Sequence, residues 1–141
     1  MMRWSWMLLA LASPVAAQDA PPAFDAARTA VLTPGQWSYV AQLGGSEARF
    51  GSSFSIRCDR IARRVTLRRV GPVVAMPAGA MTITTDLAVR TLAPGGLVAN
   101  SDPVLDAIAF SRGRFMVEVA GLPTLYVPAW PEVARVIEDC R

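Results

Sequence analysis

Phe54-Ser55-Ile56-Arg57-Cys58-Asp59-Arg60-Ile61-Ala62-Arg63-Arg64-Val65-Thr66-Leu67-Arg68-Arg69 is the stretch whose reading decides the fold. Phe54, Ile56 and Cys58 alternate with Ser55 and Arg57, and Val65 and Leu67 alternate with Arg64, Thr66 and Arg68. A period of two is that of a strand with one face in a core and the other in water. Two such runs about Arg60 to Arg63 predict an antiparallel hairpin whose register can be tested by faces. Pairing Cys58 with Val65 and Ile56 with Leu67 puts apolar residues together, while Arg57 meets Thr66, Ser55 meets Arg68 and Asp59 meets Arg64. A slip of one residue would turn arginines into the core. In this register Asp59 neutralises Arg64, Arg57 and Arg68 face solvent, Arg60 and Arg63 flank Ile61 and Ala62 at the tip, and Arg69 points the other way.

Upstream, Trp37, Tyr39, Ala41 and Leu43 alternate onto one face, and Gly44-Gly45 reads as a two-residue turn that folds the chain back with Phe50 opposite Tyr39. Downstream, strands are expected at Met81 to Thr85, Leu87 to Leu92, Phe115 to Ala120 and Thr124 to Val127, with turn signals at Pro94-Gly95-Gly96 and Gly121-Leu122-Pro123. Asp102 is placed to cap a short helix that begins at Pro103 and ends by Arg112-Gly113, with Val104, Leu105 and Ile108 inward. The chain closes on a second helix, where Pro131 takes the first position and Val133, Val136, Ile137 and Cys140 recur at i, i+3, i+4 and i+7. The fold class is therefore mainly β (α+β): an antiparallel β-sandwich or partly closed barrel with a short internal helix and a C-terminal helix. Cys58 and Cys140 have no metal-ligand or CxxC spacing, and a disulfide between them would tie that last helix to the strand ending at Cys58.

Residues 1–17 have the layout of a cleavable secretory signal peptide: Arg3, an apolar run from Trp4 to Ala12, then small residues up to a cleavage site between Ala17 and Gln18. The apolar run is broken by Ser13 and Pro14 and falls short of the roughly 20 residues a spanning helix needs, so no transmembrane anchor is expected. Residues 18–34 read as an alanine- and proline-rich lead-in with a short helical turn from Phe24 to Leu32, and 35–141 as a single β-rich domain. Such a protein is exported, to the periplasm or beyond it, where disulfides form. The chain of 141 residues has 14 basic and 11 acidic side chains, and the signal holds only Arg3, so 13 face 11 in the exported part. That balance is too slight to name a partner.

The chemistry inventory is narrow. The chain has no histidine, and all of its basic residues are arginine. Histidine triads, histidine metal sites, Schiff-base lysines and the P-loop are thereby excluded, and a disulfide would withdraw both thiols. No catalytic residue, metal or cofactor is expected. The alternative from another class is a small carboxylate-dependent glycan hydrolase using Asp102, Asp106 and Glu118. Against it, Asp102 is in capping position, Asp106 is on the solvent face of its helix, Glu118 alternates outward between Val117 and Val119, and Trp37 and Trp130 suit the core or its edge rather than a sugar platform.

What stands out is the arginine run: Arg57, Arg60, Arg63, Arg64, Arg68 and Arg69 within the hairpin, opposed there by Asp59 alone. Arg57, Arg60, Arg63, Arg64 and Arg68 form the candidate patch for an anionic partner, a protein or polymer at the cell envelope. Nucleic acid is not expected, because aromatic residues are not interleaved with the cations. Four unpaired arginines on an anionic membrane are worth roughly 4 kcal/mol, a millimolar contact, so charge alone would not hold the protein on lipid.

The segments Asp102-Pro103-Val104-Leu105-Asp106-Ala107-Ile108-Ala109-Phe110-Ser111-Arg112-Gly113-Arg114-Phe115 and Pro128-Ala129-Trp130-Pro131-Glu132-Val133-Ala134-Arg135-Val136-Ile137-Glu138-Asp139-Cys140-Arg141 resemble small uncharacterised exported proteins of sphingomonad-type bacteria. In layout alone, a β-rich periplasmic domain with cysteines that closes on a helix, the chain is similar to the invasion-associated locus B proteins. The first resemblance implies no activity, the second at most a periplasmic or surface role, and neither supplies site residues.

Overall fold

The computed structural model describes residues 22–71 and 79–141; the signal peptide expected at 1–17, the expected Ala17–Gln18 cleavage site and the start of the lead-in lie outside them. Period-two alternation organises two antiparallel sheets. Strands β1 (Trp37–Gln42), β2 (Gly45–Phe50), β3 (Phe54–Asp59) and β4 (Arg64–Arg69) follow one another as hairpins, and the short β7 (Leu97–Ala99) adds to the far edge of β4. The second sheet has the order β6 (Val89–Leu92), β5 (Met81–Thr84), β8 (Arg114–Val119), β9 (Leu125–Pro128). Three helices complete the described residues: α1 (Pro22–Arg28), α2 (Pro103–Ala109) and α3 (Pro131–Glu138). The architecture is mainly β, with the two sheets of a sandwich and the expected internal and C-terminal helices.

The β3–β4 register is the one the faces require: Cys58 opposite Val65, Ile56 opposite Leu67, Arg57 opposite Thr66 and Ser55 opposite Arg68. Ala48, Phe50, Phe54, Ile56, Val65 and Leu67 are buried on the inner face, with Ile83, Phe115, Val117 and Val127 from the other sheet. Each of these larger side chains contributes about 1.5–3 kcal/mol by leaving water. Trp37, Phe50, Phe54 and Phe115 join the sheets, with Phe54 and Phe115 centroids 6.0 Å apart and near edge-to-face. Trp37 also donates from Nε1 to the Pro128 carbonyl at 2.8 Å, which satisfies its buried N–H.

The first hairpin departs from expectation. Phe50 pairs with Trp37, not Tyr39, and the turn is Leu43-Gly44, not Gly44-Gly45. Gly44 adopts φ +80° as the turn residue. Gly45 instead belongs to β2, where a Cβ would stand 1.9 Å from the Cys58 carbonyl oxygen. It is glycine because β3 passes too close for a side chain. The shift of two keeps every face and moves Leu43 out of the strand to the tip, where it is fully exposed.

Two smaller corrections have local causes. The strand expected from Leu87 starts at Val89, because Thr85 Oγ1 accepts from the Leu87 and Ala88 N–H groups and holds a turn there. The strand β7 was not expected at all; three residues are too few to show alternation. The lead-in also has a seat. Phe24 and Ala27 of α1 are buried with Met116 and Tyr126 on the outer face of the second sheet, and Arg114 donates to the Ala27 and Ala30 carbonyls.

Cys58 and Cys140 are joined, with Cα atoms 5.5 Å apart. Val133, Val136 and Ile137 bury the apolar stripe of α3 against β1, β2 and β3, so the bridge and the stripe pin the same end of the sheet. No helix among the described residues is long and apolar enough to cross a membrane.

Candidate functional site, an arginine face

Pinning the inner face of the five-stranded sheet leaves its outer face to solvent, and the strand registers arrange that face in rows. Ser38, Arg49, Ser55 and Arg68 lie opposite one another across β1 to β4. The next row holds Val40, Glu47, Arg57, Thr66 and Leu97, and the last holds Gln42, Gly45, Asp59, Arg64 and Ala99. With strands about 4.8 Å apart, Arg49 and Arg68 flank Ser55 at roughly 10 Å in the backbone.

The cluster expected from the sequence divides in two. Arg57, Arg64 and Arg68 stand on this face, whereas Arg60 and Arg63 belong to the four-residue tip between β3 and β4. All five are exposed. Arg69 turns inward as expected. It is buried, and its guanidinium donates to the carbonyls of Ser53 and Pro123, each at 3.2 Å, and to that of Val70. Burial alone pulls its pKa below the usual arginine value.

The expected neutralisation of Arg64 by Asp59 is not present. The two residues are cross-strand partners, but the Asp59 carboxylate turns into the tip and accepts from the Ala62 N–H at 2.9 Å. A short acidic side chain next to a tight loop meets a backbone donor more easily than a long arginine head.

Arg49 is the member that a reading of the hairpin alone misses. It donates to Glu47 Oε2 at 2.8 Å, and Gln42 reaches the same carboxylate at 3.4 Å. The Arg49 hydrogen bond, with the charges of Arg49 and Arg57 adding to it against some desolvation, holds the Glu47 carboxyl below its ordinary range. The Glu47 carboxylate thus offsets part of the repulsion between Arg49 and Arg57. The outward alternation of Glu47 and Arg49 in β2 was the available signal.

At the β2–β3 turn end, Glu47, Arg49, Ser52, Ser55, Arg68 and Val70 line an open groove of about 340 Å³. Guanidinium forks and serine hydroxyls are donors suited to carboxylate or phosphate oxygens. Nothing lining the groove is an activated nucleophile.

The three acids of the hydrolase alternative each have another partner or place. Asp102 caps α2, accepting from the Val104 N–H at 2.9 Å, and pairs with Arg90 at 3.0 Å. Asp106 pairs with Arg141, and Glu118 is opposite Thr82 on the outer face of the second sheet. Among the described residues no group of three or more histidine, cysteine, aspartate or glutamate side chains is placed to hold a metal ion. No protein-family model, curated protein or solved structure matches the chain.

Proposed function

We propose that the protein is a non-catalytic interaction module of the periplasm that docks an anionic protein or polymer of the cell envelope on the outer face of its five-stranded sheet. The observation that carries this reading is the gathering of Arg49, Arg57, Arg64 and Arg68 on one pinned face, with Glu47 and Asp59 as the acids of the same rows. Cross-strand register holds these side chains at fixed spacing, so such a face recognises a pattern of carboxylates or phosphates rather than a lone ion. The disulfide supports export, because such bridges persist in oxidising compartments.

The test is retention of partners from periplasmic extract by the native protein and by a variant with Arg49, Arg57, Arg64 and Arg68 each replaced by glutamine. The variant is expected to keep its fold and lose the salt-sensitive partners severalfold. Equal retention with equal salt dependence would reduce the face to solvated surface.

A further inference from the structure

The tips of the β1–β2 and β3–β4 hairpins form one feature that the arginine face does not explain. The Arg60 N–H donates to the Gly44 carbonyl at 2.9 Å, which joins the β3–β4 tip to the β1–β2 tip. The Ile61 side chain lies against Gly44, 3.3 Å from where a Cβ would be. Leu43, beside Gly44, and Ile61 thus project from neighbouring turns at 108 % and 87 % relative exposure. Two aliphatic side chains on adjoining turns at one end of the sheet are left almost wholly outside the core.

The cations around them are Arg60 and Arg63, both exposed. Asp59 is the nearby acid of the loop, bound to the Ala62 N–H, and Asp139, at the end of α3, accepts from the Tyr39 hydroxyl at 2.5 Å and also feels the charge of Arg60. Arg63 carries a second mark. Its φ is +54°, the left-handed region, where it is the one non-glycine residue among those described. Glycine would adopt that conformation without strain. A strained arginine at an exposed tip is the kind of outlier that points to use.

We propose that these joined tips insert into the surface of an anionic phospholipid bilayer, Leu43 and Ile61 entering the acyl boundary while Arg60 and Arg63 meet the phosphates. Charge alone makes too weak a contact with lipid; the structure supplies the missing part by placing Leu43 beside Ile61. Apolar anchors ringed by arginine match an interface that is apolar below and anionic above. The contact uses different residues from the arginine face and stands whether or not that face docks a partner.

The experiment is co-sedimentation of the protein, purified from the exporting cell with its amino terminus determined, with vesicles of phosphatidylethanolamine containing about a third phosphatidylglycerol, and with phosphatidylcholine vesicles. Binding is expected on the anionic vesicles and is much weaker on phosphatidylcholine. Leu43→Asp with Ile61→Asp should lower the partition coefficient at least about tenfold. The milder Leu43→Ser with Ile61→Ser serves if the aspartates disturb the fold, as checked by circular dichroism. Arg63→Gly should weaken binding about fivefold without lowering the melting temperature. Because native and variant proteins share one amino terminus, its own affinity for lipid cancels. Absence of binding to anionic vesicles, or binding indifferent to Leu43 and Ile61, overturns the proposal. Vesicle binding lost on neutralising Arg49, Arg57, Arg64 and Arg68 alone would move the lipid contact to the face and equally overturn it, while leaving the docking reading of the face in place.

Discussion

Among the described residues Arg69 is the one buried arginine. Buried charges are costly unless hydrogen-bonded, and here the guanidinium is held by carbonyls from three places: the β2–β3 turn, the end of β4 and the β8–β9 connection. It ties the two sheets at the end opposite the disulfide-linked helix. Removing it strands buried acceptors, so Arg69→Ala is expected to cost about 2–3 kcal/mol. Arg69→Met, which keeps the stem and loses the donors, should recover only a minor part. Urea unfolding of the two variants measures both effects; a cost below that of an ordinary surface arginine would show the carbonyls to be satisfied by water instead.

At the scale of elements, α3 is held twice. Val133, Val136 and Ile137 bury its stripe, and the bridge closes a loop between residues 82 apart in sequence. In the chain-entropy account a loop of that length is worth about 4–5 kcal/mol, which rivals the whole stability of many domains. Other contacts hold the same end: the Asn100 side chain donates to the Cys140 carbonyl at 2.6 Å, and Arg135 stacks on the Tyr39 ring at 4.1 Å. Cys140→Ala is therefore expected to lower stability by a few kcal/mol and to raise amide exchange first in α3, with the β3–β4 pairing protected longest. Uniform loss of protection across the sheet would instead make the helix an integral part of one cooperative unit.

For the molecule as a whole, the outer face couples electrostatics to acid stability. The Arg49 hydrogen bond depresses the Glu47 pKa in the folded chain. The folded state thus binds that proton less readily than the unfolded state. The stabilisation is present in full above the unfolded carboxyl pKa, at roughly pH 4, and is lost as pH falls through the lower folded value. Glu47→Gln should flatten stability against pH on the acid side of that range while leaving its slope near neutrality unchanged. Thermal melts in acetate and in neutral buffer read the difference. An unaltered acid slope would place the titrating groups elsewhere.

Strand identity, the β3–β4 register and the two principal helices were legible from residue order, because each rests on a local period: two for Phe54-Ile56-Cys58, near 3.6 for Val133-Val136-Ile137-Cys140. Capping by Asp102 was legible for the same reason, since it involves neighbours. The turn at Leu43-Gly44 was not, since two adjacent glycines carry the same local signal, and only the approach of the Cys58 carbonyl assigns Gly45 to the strand. The brief β7 exists because β4 offers it an edge. The site followed the same division. That Arg57, Arg64 and Arg68 face outward could be read from alternation, but Arg49 joins them through cross-strand register, and the turns that carry Leu43 and Ile61 come together because the Arg60 N–H bonds the Gly44 carbonyl. Period and capping are set by neighbours in the chain, and these determined which residues are buried; which exposed residues stand together depends on contacts between distant segments, and those only tertiary packing decided.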